Sequence, residues 1–139
     1  MKAVRDKRSP IPKNKNVSRV MQANRSKNTM PELRLRRELW RIGKRGYRLH
    51  KRIAGTRPDI VYTTDKLAVF INGCFWHRCP ICKLKLPLNN RDYWKDKFRK
   101  NKGRDVRKRN ALQNEGWRVI TVWECEINSD IKKVVRAIR

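Results

Sequence analysis

The chain has 139 residues, enough for one domain with a modest buried core. Its 38 Lys and Arg stand against 12 Asp and Glu, a formal net charge of +26. That excess resists compaction by self-repulsion and is relieved by a polyanion that releases counterions on binding, so nucleic acid is the expected partner class. Charge alone names no reaction, because a ribosomal or nucleoid protein would carry it too. A membrane partner is excluded from expectation: no apolar stretch approaches the roughly 20 residues of a spanning helix. Residues 1–12 are basic and lack the apolar segment of a secretory signal, so an intracellular protein is expected.

In chain order, residues 1–16 carry Pro10, Pro12 and many cations with little apolar content, and read as a flexible basic arm. Residues 17–139 then form a single domain. A short helix is possible over residues 17–27. Thr29 with Glu32 three residues on, and Pro31 between them, has the form of a capping box. The helix it opens runs to about Ile42, with Leu33, Trp40 and either Leu39 or Ile42 inward and Gly43 as the stop. Strands follow over residues 47–49, 59–62 and 66–71. The run Leu67-Ala68-Val69-Phe70-Ile71 suits a central strand covered on both faces, and the short turn before it predicts a hairpin. Residues 73–88 form a cysteine loop. A long polar helix over residues 92–114 follows, with ten Lys and Arg counting Arg91. Its apolar face is thin, with Trp94 and Phe98 at one end and Val106 and Leu112 at the other. A buried strand over residues 117–123 and an amphipathic helix over residues 130–138 close the chain. The order α, βββ, α, β, α predicts a mixed sheet flanked by helices.

The cysteines are Cys74, Cys79, Cys82 and Cys125, in the pattern C-x4-C-x2-C, then 42 residues, then C. In a reducing compartment this favours a structural zinc site over disulfides. Asp59 follows Arg57-Pro58 and opens a strand, where an acid can reach both a metal and a phosphate. A turn residue after proline is the ordinary alternative. His77 is one of two histidines and lies inside the cysteine loop. Four cysteines already fill a tetrahedral site, which leaves His77 for general-base work; a ligand and a plain surface histidine are its other readings. Phe75, Trp76 and Trp94 are large apolar residues in basic surroundings, suited either to stacking on bases or to core packing. The cation runs over residues 1–27 and 95–109 suit phosphate contacts or a solvated helix face.

Together these segments resemble the very-short-patch-repair (Vsr) endonucleases. The resemblance lies in Lys27-Asn28-Thr29-x-Pro31-Glu32, Tyr47-Arg48-Leu49-His50 and Arg57-Pro58-Asp59-Ile60-Val61. It continues through Val69-Phe70-Ile71-Asn72-Gly73-Cys74-Phe75-Trp76-His77, Tyr93-Trp94-x-x-Lys97, Asn101 and Arg104-Asp105. It ends with Gly116-Trp117-Arg118-Val119 and Val122-Trp123-Glu124-Cys125. It implies a restriction-endonuclease-like α/β core of the PD-(D/E)xK type. It also implies that Asp59 and the Ile71 carbonyl bind two Mg²⁺ ions and that His77 activates water. Glu32 would support the site through water, while Phe75, Trp76 and Trp94 intercalate beside a mismatched pair. Lys97, Asn101 and Arg104 join the DNA-binding set, and zinc on the four cysteines is structural. The implied activity is a nick in one strand of double-stranded DNA at a T·G mismatch. The implied enzyme is a monomer of the prokaryotic cytosol or nucleoid, with repair proteins as possible partners. The chain departs from the pattern at Asn72, where mismatch-repair members can carry histidine, so a second proton-handling role is either missing or falls to His50. It departs again where a zinc-ligating histidine is replaced by cysteine. Two other readings stay open: a restriction or defence nuclease without mismatch specificity, and a non-catalytic zinc-containing DNA-binding protein.

Overall fold

In a computed structural model, residues 28–139 are described; the expected basic arm and the expected helix over residues 17–27 lie outside them. Helix α1 spans Met30–Arg41. Thr29 Oγ1 accepts the Glu32 N–H at 3.4 Å, and the Thr29 N–H donates to Glu32 Oε2 at 3.3 Å, so both halves of the capping box form. The helix ends through Gly43, whose φ of +84° is left-handed backbone that glycine adopts without strain.

The helix phase differs from expectation. Leu35 and Leu39 are fully buried with Glu32, whereas Leu33 is 38% and Trp40 55% exposed. The inward stripe runs 32–35–39, one turn per step, and Leu33 and Trp40 fall off it. Trp40 is instead covered by the Arg45 guanidinium, 4.5 Å from its ring.

Strands β1 (Arg48–Leu49), β2 (Ile60–Tyr62), β3 (Leu67–Asn72) and β4 (Arg118–Trp123) form one sheet in the order β1-β2-β3-β4. β1/β2 and β2/β3 are antiparallel, the latter being the expected hairpin. β3/β4 are parallel, with Asn72 opposite Trp123. Between β3 and β4 lie α2 (Cys74–His77), one helical turn inside the cysteine loop, and α3 (Arg91–Asn114). The last helix, α4, spans Glu124–Ile138 and starts six residues earlier than expected. It bends at Asp130 (φ −153°, ψ 77°). There Asp130 Oδ1 accepts the Lys133 N–H at 3.2 Å and re-caps the second half.

The alternation of strand residues divides the molecule into layers. Leu67, Val69, Ile120 and Val122 face α1 and α4, and pack with Leu35, Leu39, Ile127, Val134, Val135 and Ile138. α3 packs along β4 on the other side, with Trp94, Phe98 and Leu112 buried and Val106 exposed. Because its middle carries charges where an apolar stripe would be, α3 does not seal against Phe70, Asn72, Thr121 and Trp123. A cavity of about 260 Å³ remains there. The result is the expected mixed sheet flanked by helices. Among the described residues no helix is long and apolar enough to cross a membrane.

Candidate active site

Strand pairing assembles the site. β2 runs antiparallel to β3, so the start of β2 lies beside the end of β3. The Asp59 N–H donates to the Val69 carbonyl at 3.0 Å, and the Ile71 N–H donates to Asp59 Oδ2 at 2.7 Å. Asp59 is thereby fixed with one carboxylate oxygen held by the backbone of Ile71, whose carbonyl the family resemblance singles out. Burial pushes the Asp59 carboxyl up to about 6; the Ile71 N–H opposes this, the Glu32 charge adds to it, and Lys108 and His77 work against it.

Glu32, on α1, is only 2% exposed and reaches the same place. Its Oε1 pairs with Arg36 Nη2 at 2.6 Å and with His50 Nε2 at 2.9 Å. His50 leaves β1 with φ +52° and turns its Nδ1 to 3.9 Å from Asp59 Oδ1. Glu32, His50 and Asp59 thus form a group able to hold a metal ion, each offering one ligand atom within 4.8 Å of the others. Asn72 is also buried at the end of β3 and lines the cleft, but it is His50 that the fold brings against the acids.

His77 lines the same cleft as Asp59. The turn of α2 is closed by Arg78 in left-handed backbone (φ +53°) and by the Cys79 N–H on the Cys74 carbonyl at 3.0 Å. His77 Nδ1 lies 2.6 Å from Asp105 Oδ2 on α3. An imidazole that donates from Nδ1 to a carboxylate keeps Nε2 as its proton acceptor. Asp105 stands in the motif Arg104-Asp105 but carries no expected role. The available signal was spacing: Lys97, Asn101 and Asp105 recur every fourth residue and so share one face of α3. All three line an open cleft of about 740 Å³ with Asp59, Ile71, Asn72, Trp76, His77, Arg104 and Lys108.

Two expected DNA contacts are placed differently. Trp94 is 5% exposed, stacked on Phe98 at 5.5 Å and edge-on to Phe75 at 5.5 Å. It is core, and could wedge into DNA only by leaving this cluster. Asn101 donates its side-chain N–H to the Trp76 carbonyl at 3.0 Å, so it ties α3 to the His77 turn. Phe75 is half-buried at the centre of the aromatic cluster, and both it and Trp76 line the cleft with Lys97 and Arg104.

The cysteine cluster follows from the parallel β3/β4 pair. With Asn72 opposite Trp123, Cys74 and Cys125 leave the two strand ends side by side, and the Cys125 N–H donates to Cys74 Sγ at 3.4 Å. All four sulfurs lie within 4.8 Å of one another, Cys79 and Cys125 at 3.6 Å, and none is in a disulfide. Tetrahedral metal–sulfur bonds of about 2.3 Å set sulfurs about 3.8 Å apart, so the cluster has the dimensions of a four-thiolate metal centre. Against the desolvation of burial, the N–H groups of Cys82 and Ile81 hold the Cys79 thiol below its ordinary value, whereas burial raises the thiols of Cys74 and Cys125.

Comparison with known proteins agrees with this architecture. The family model described as DNA mismatch endonuclease Vsr matches residues 11–83. The Type II nicking enzyme V.XorIIP of Xanthomonas oryzae is 46% identical over 110 residues, covering 78% of this chain and 79% of the relative. The DNA mismatch endonuclease Vsr of Escherichia coli is 34% identical over 121 residues, covering 87% and 77%. Among solved structures, the catalytic domain of the homing endonuclease I-Bth0305I superposes with a TM-score of 0.53 at 28% identity, covering 80% of this chain and 91% of that one. By these matches in sequence over most of its length, the chain belongs to the Vsr family of DNA endonucleases.

Proposed function

We propose that this enzyme nicks one strand of duplex DNA at T·G mismatches, as in very short patch repair. The observation that carries this reading is that Asp59, against which Glu32 and His50 converge, lines the same cleft as the His77–Asp105 pair. Asp59 and the Ile71 carbonyl hold Mg²⁺, with Glu32 supporting through water. When bound, the ion places positive charge on the scissile phosphate and favours ionised water. His77 Nε2 accepts the proton of the attacking water, and Asp105 stabilises the imidazolium that results. Lys97, Arg104 and Lys108 take phosphates along the cleft, and Trp76 is the aromatic placed to wedge against a base pair. Zn²⁺ on Cys74, Cys79, Cys82 and Cys125 holds the turn that carries Trp76 and His77. Asn72 has an amide that neither gains nor loses a proton near neutral pH, so any role for it is hydrogen bonding. Residues 17–139 act as a single, monomeric endonuclease domain with residues 1–16 as a basic arm.

The test is strand-resolved cleavage of duplexes with a T·G mismatch and with the matched pair. The parent nicks the mismatched duplex preferentially, and Asp59→Ala and His77→Ala abolish nicking of both. Cleavage of matched DNA alone would replace repair by another nuclease purpose, and undiminished cutting by both variants would overturn the site assignment.

A further inference from the structure

The Glu32–His50–Asp59 group contains a nitrogen donor that an oxygen-only magnesium site does not need. Its arrangement is specific. Glu32 Oε1 lies 2.9 Å from His50 Nε2, and Arg36 Nη2 lies 2.6 Å from the same oxygen and 3.4 Å from the same nitrogen. The Nε2 side of the ring is therefore taken up by a carboxylate and a guanidinium, and a cation has no place there. The Nδ1 side faces Asp59 Oδ1 at 3.9 Å. That gap exceeds a hydrogen bond. It falls within the roughly 3–4 Å between two donors that share one first-row ion with bonds near 2 Å. Asp59 Oδ2 is engaged by the Ile71 N–H, which leaves Oδ1 as the oxygen turned toward the histidine.

A carboxylate that accepts the far N–H of an imidazole fixes its tautomer and aims the other nitrogen at a metal. Glu32 is suited to that task here. It is buried, it is held by its own helix cap at Thr29, and its charge is balanced by Arg36. We propose that His50 is a nitrogen ligand to the divalent cation held by Asp59, oriented by Glu32, and that this donor makes the site favour the later first-row ions over Mg²⁺. Imidazole suits Fe²⁺, Ni²⁺, Cu²⁺ and Zn²⁺, whereas carboxylate, carbonyl and water suit Mg²⁺ and Mn²⁺. The inference rests on Asp59 being the metal anchor. It gives His50 a place at the ion rather than in proton transfer, which distinguishes it from His77, paired with Asp105.

The probe is Mn²⁺ alone, added to zinc-loaded, DNA-free protein and read by pulsed electron paramagnetic resonance. The chain has two histidines, His50 and His77, so the source of any imidazole coupling is decidable. The expected result is a ¹⁴N coupling on bound Mn²⁺ that persists in His77→Gln and disappears in His50→Gln. Glu32→Gln, which keeps the cap geometry but removes the charge, weakens Mn²⁺ binding by roughly tenfold. The preference for Ni²⁺ over Mg²⁺ in competition falls by a similar factor in His50→Gln. If His50→Gln does not fold, the parent and His77→Gln decide the matter by themselves. Bound Mn²⁺ without nitrogen coupling, coupling that follows His77, or no saturable Mn²⁺ binding would each overturn the inference. Magnesium-dependent nicking alongside any of these leaves the proposed function standing; its loss as well overturns both.

Discussion

The buried carboxyl of Asp59 makes the site a burden on the fold, and Asp59→Asn should expose it. The acid is raised from 3.8 to about 6, mainly by desolvation, and its side chain is 18% exposed. At about 1.4 kcal/mol per pH unit, this corresponds to about 3 kcal/mol against the charged, folded form. A raised acid contributes its full stability below the unfolded value of 3.8 and loses it as pH rises through 6. Asp59→Asn keeps an oxygen for the Ile71 N–H and removes the charge. It should therefore match the parent near pH 3.5, pull ahead between pH 4 and 6, and stay about 3 kcal/mol more stable at pH 8. In melting temperature that is a gain on the order of 10 °C. The assay is thermal or urea unfolding across this range in magnesium-free buffer, without a chelator that would strip the cysteine centre. Nicking by the variant is lost. An equal or lower stability at pH 8, or a gain already complete at pH 3.5, would refute the reasoning.

Asp105→Asn removes the acceptor that orients His77 and should slow single-turnover nicking by roughly 10²-fold or more, with DNA binding changed less than about twofold; an unchanged rate would take Asp105 out of the site. Trp94→Ala should destabilise the DNA-free protein by about 3–5 kcal/mol, as core truncations do; unaltered melting would return Trp94 to the DNA interface. Cys79→Ser should drop bound zinc well below one equivalent on elemental analysis and loosen the His77 turn, so that nicking falls with it. Full zinc retention would show that the four sulfurs are not one centre.

Local chemistry was legible wherever one short segment settled it. The capping box at Thr29 and Glu32, the hairpin from β2 to β3 and the buried run of β3 all formed where their residues placed them. The catalytic candidates were legible as a set because the resemblance ordered them, yet their partners were not. His77 meets Asp105 across 28 residues, and His50 meets Glu32 across 18, contacts that depend on how α3 and α1 seat on the sheet. The phase of α1 was misjudged because Leu33 and Trp40 are as apolar as Leu35 and Leu39, and only packing against α4 chooses between the stripes. Trp94 reads equally as wedge or core until Phe75 and Phe98 are seen around it. The early start of α4 was hidden by the bend at Asp130, which divides its apolar periodicity in two. The cysteine spacing suggested a metal centre, but the reason for its closure is the parallel register of Asn72 and Trp123, a long-range fact no local pattern carries.

The central claim is that Asp59 anchors a metal that, with His77, breaks one DNA strand. Single-turnover cleavage of a T·G duplex labelled on each strand, by zinc-loaded protein with Mg²⁺ added or withheld, tests it most directly. The account predicts a cut in one strand only, dependent on Mg²⁺ and absent in Asp59→Ala. Cleavage that proceeds without added divalent ion, or at the parent rate in Asp59→Ala, would contradict it.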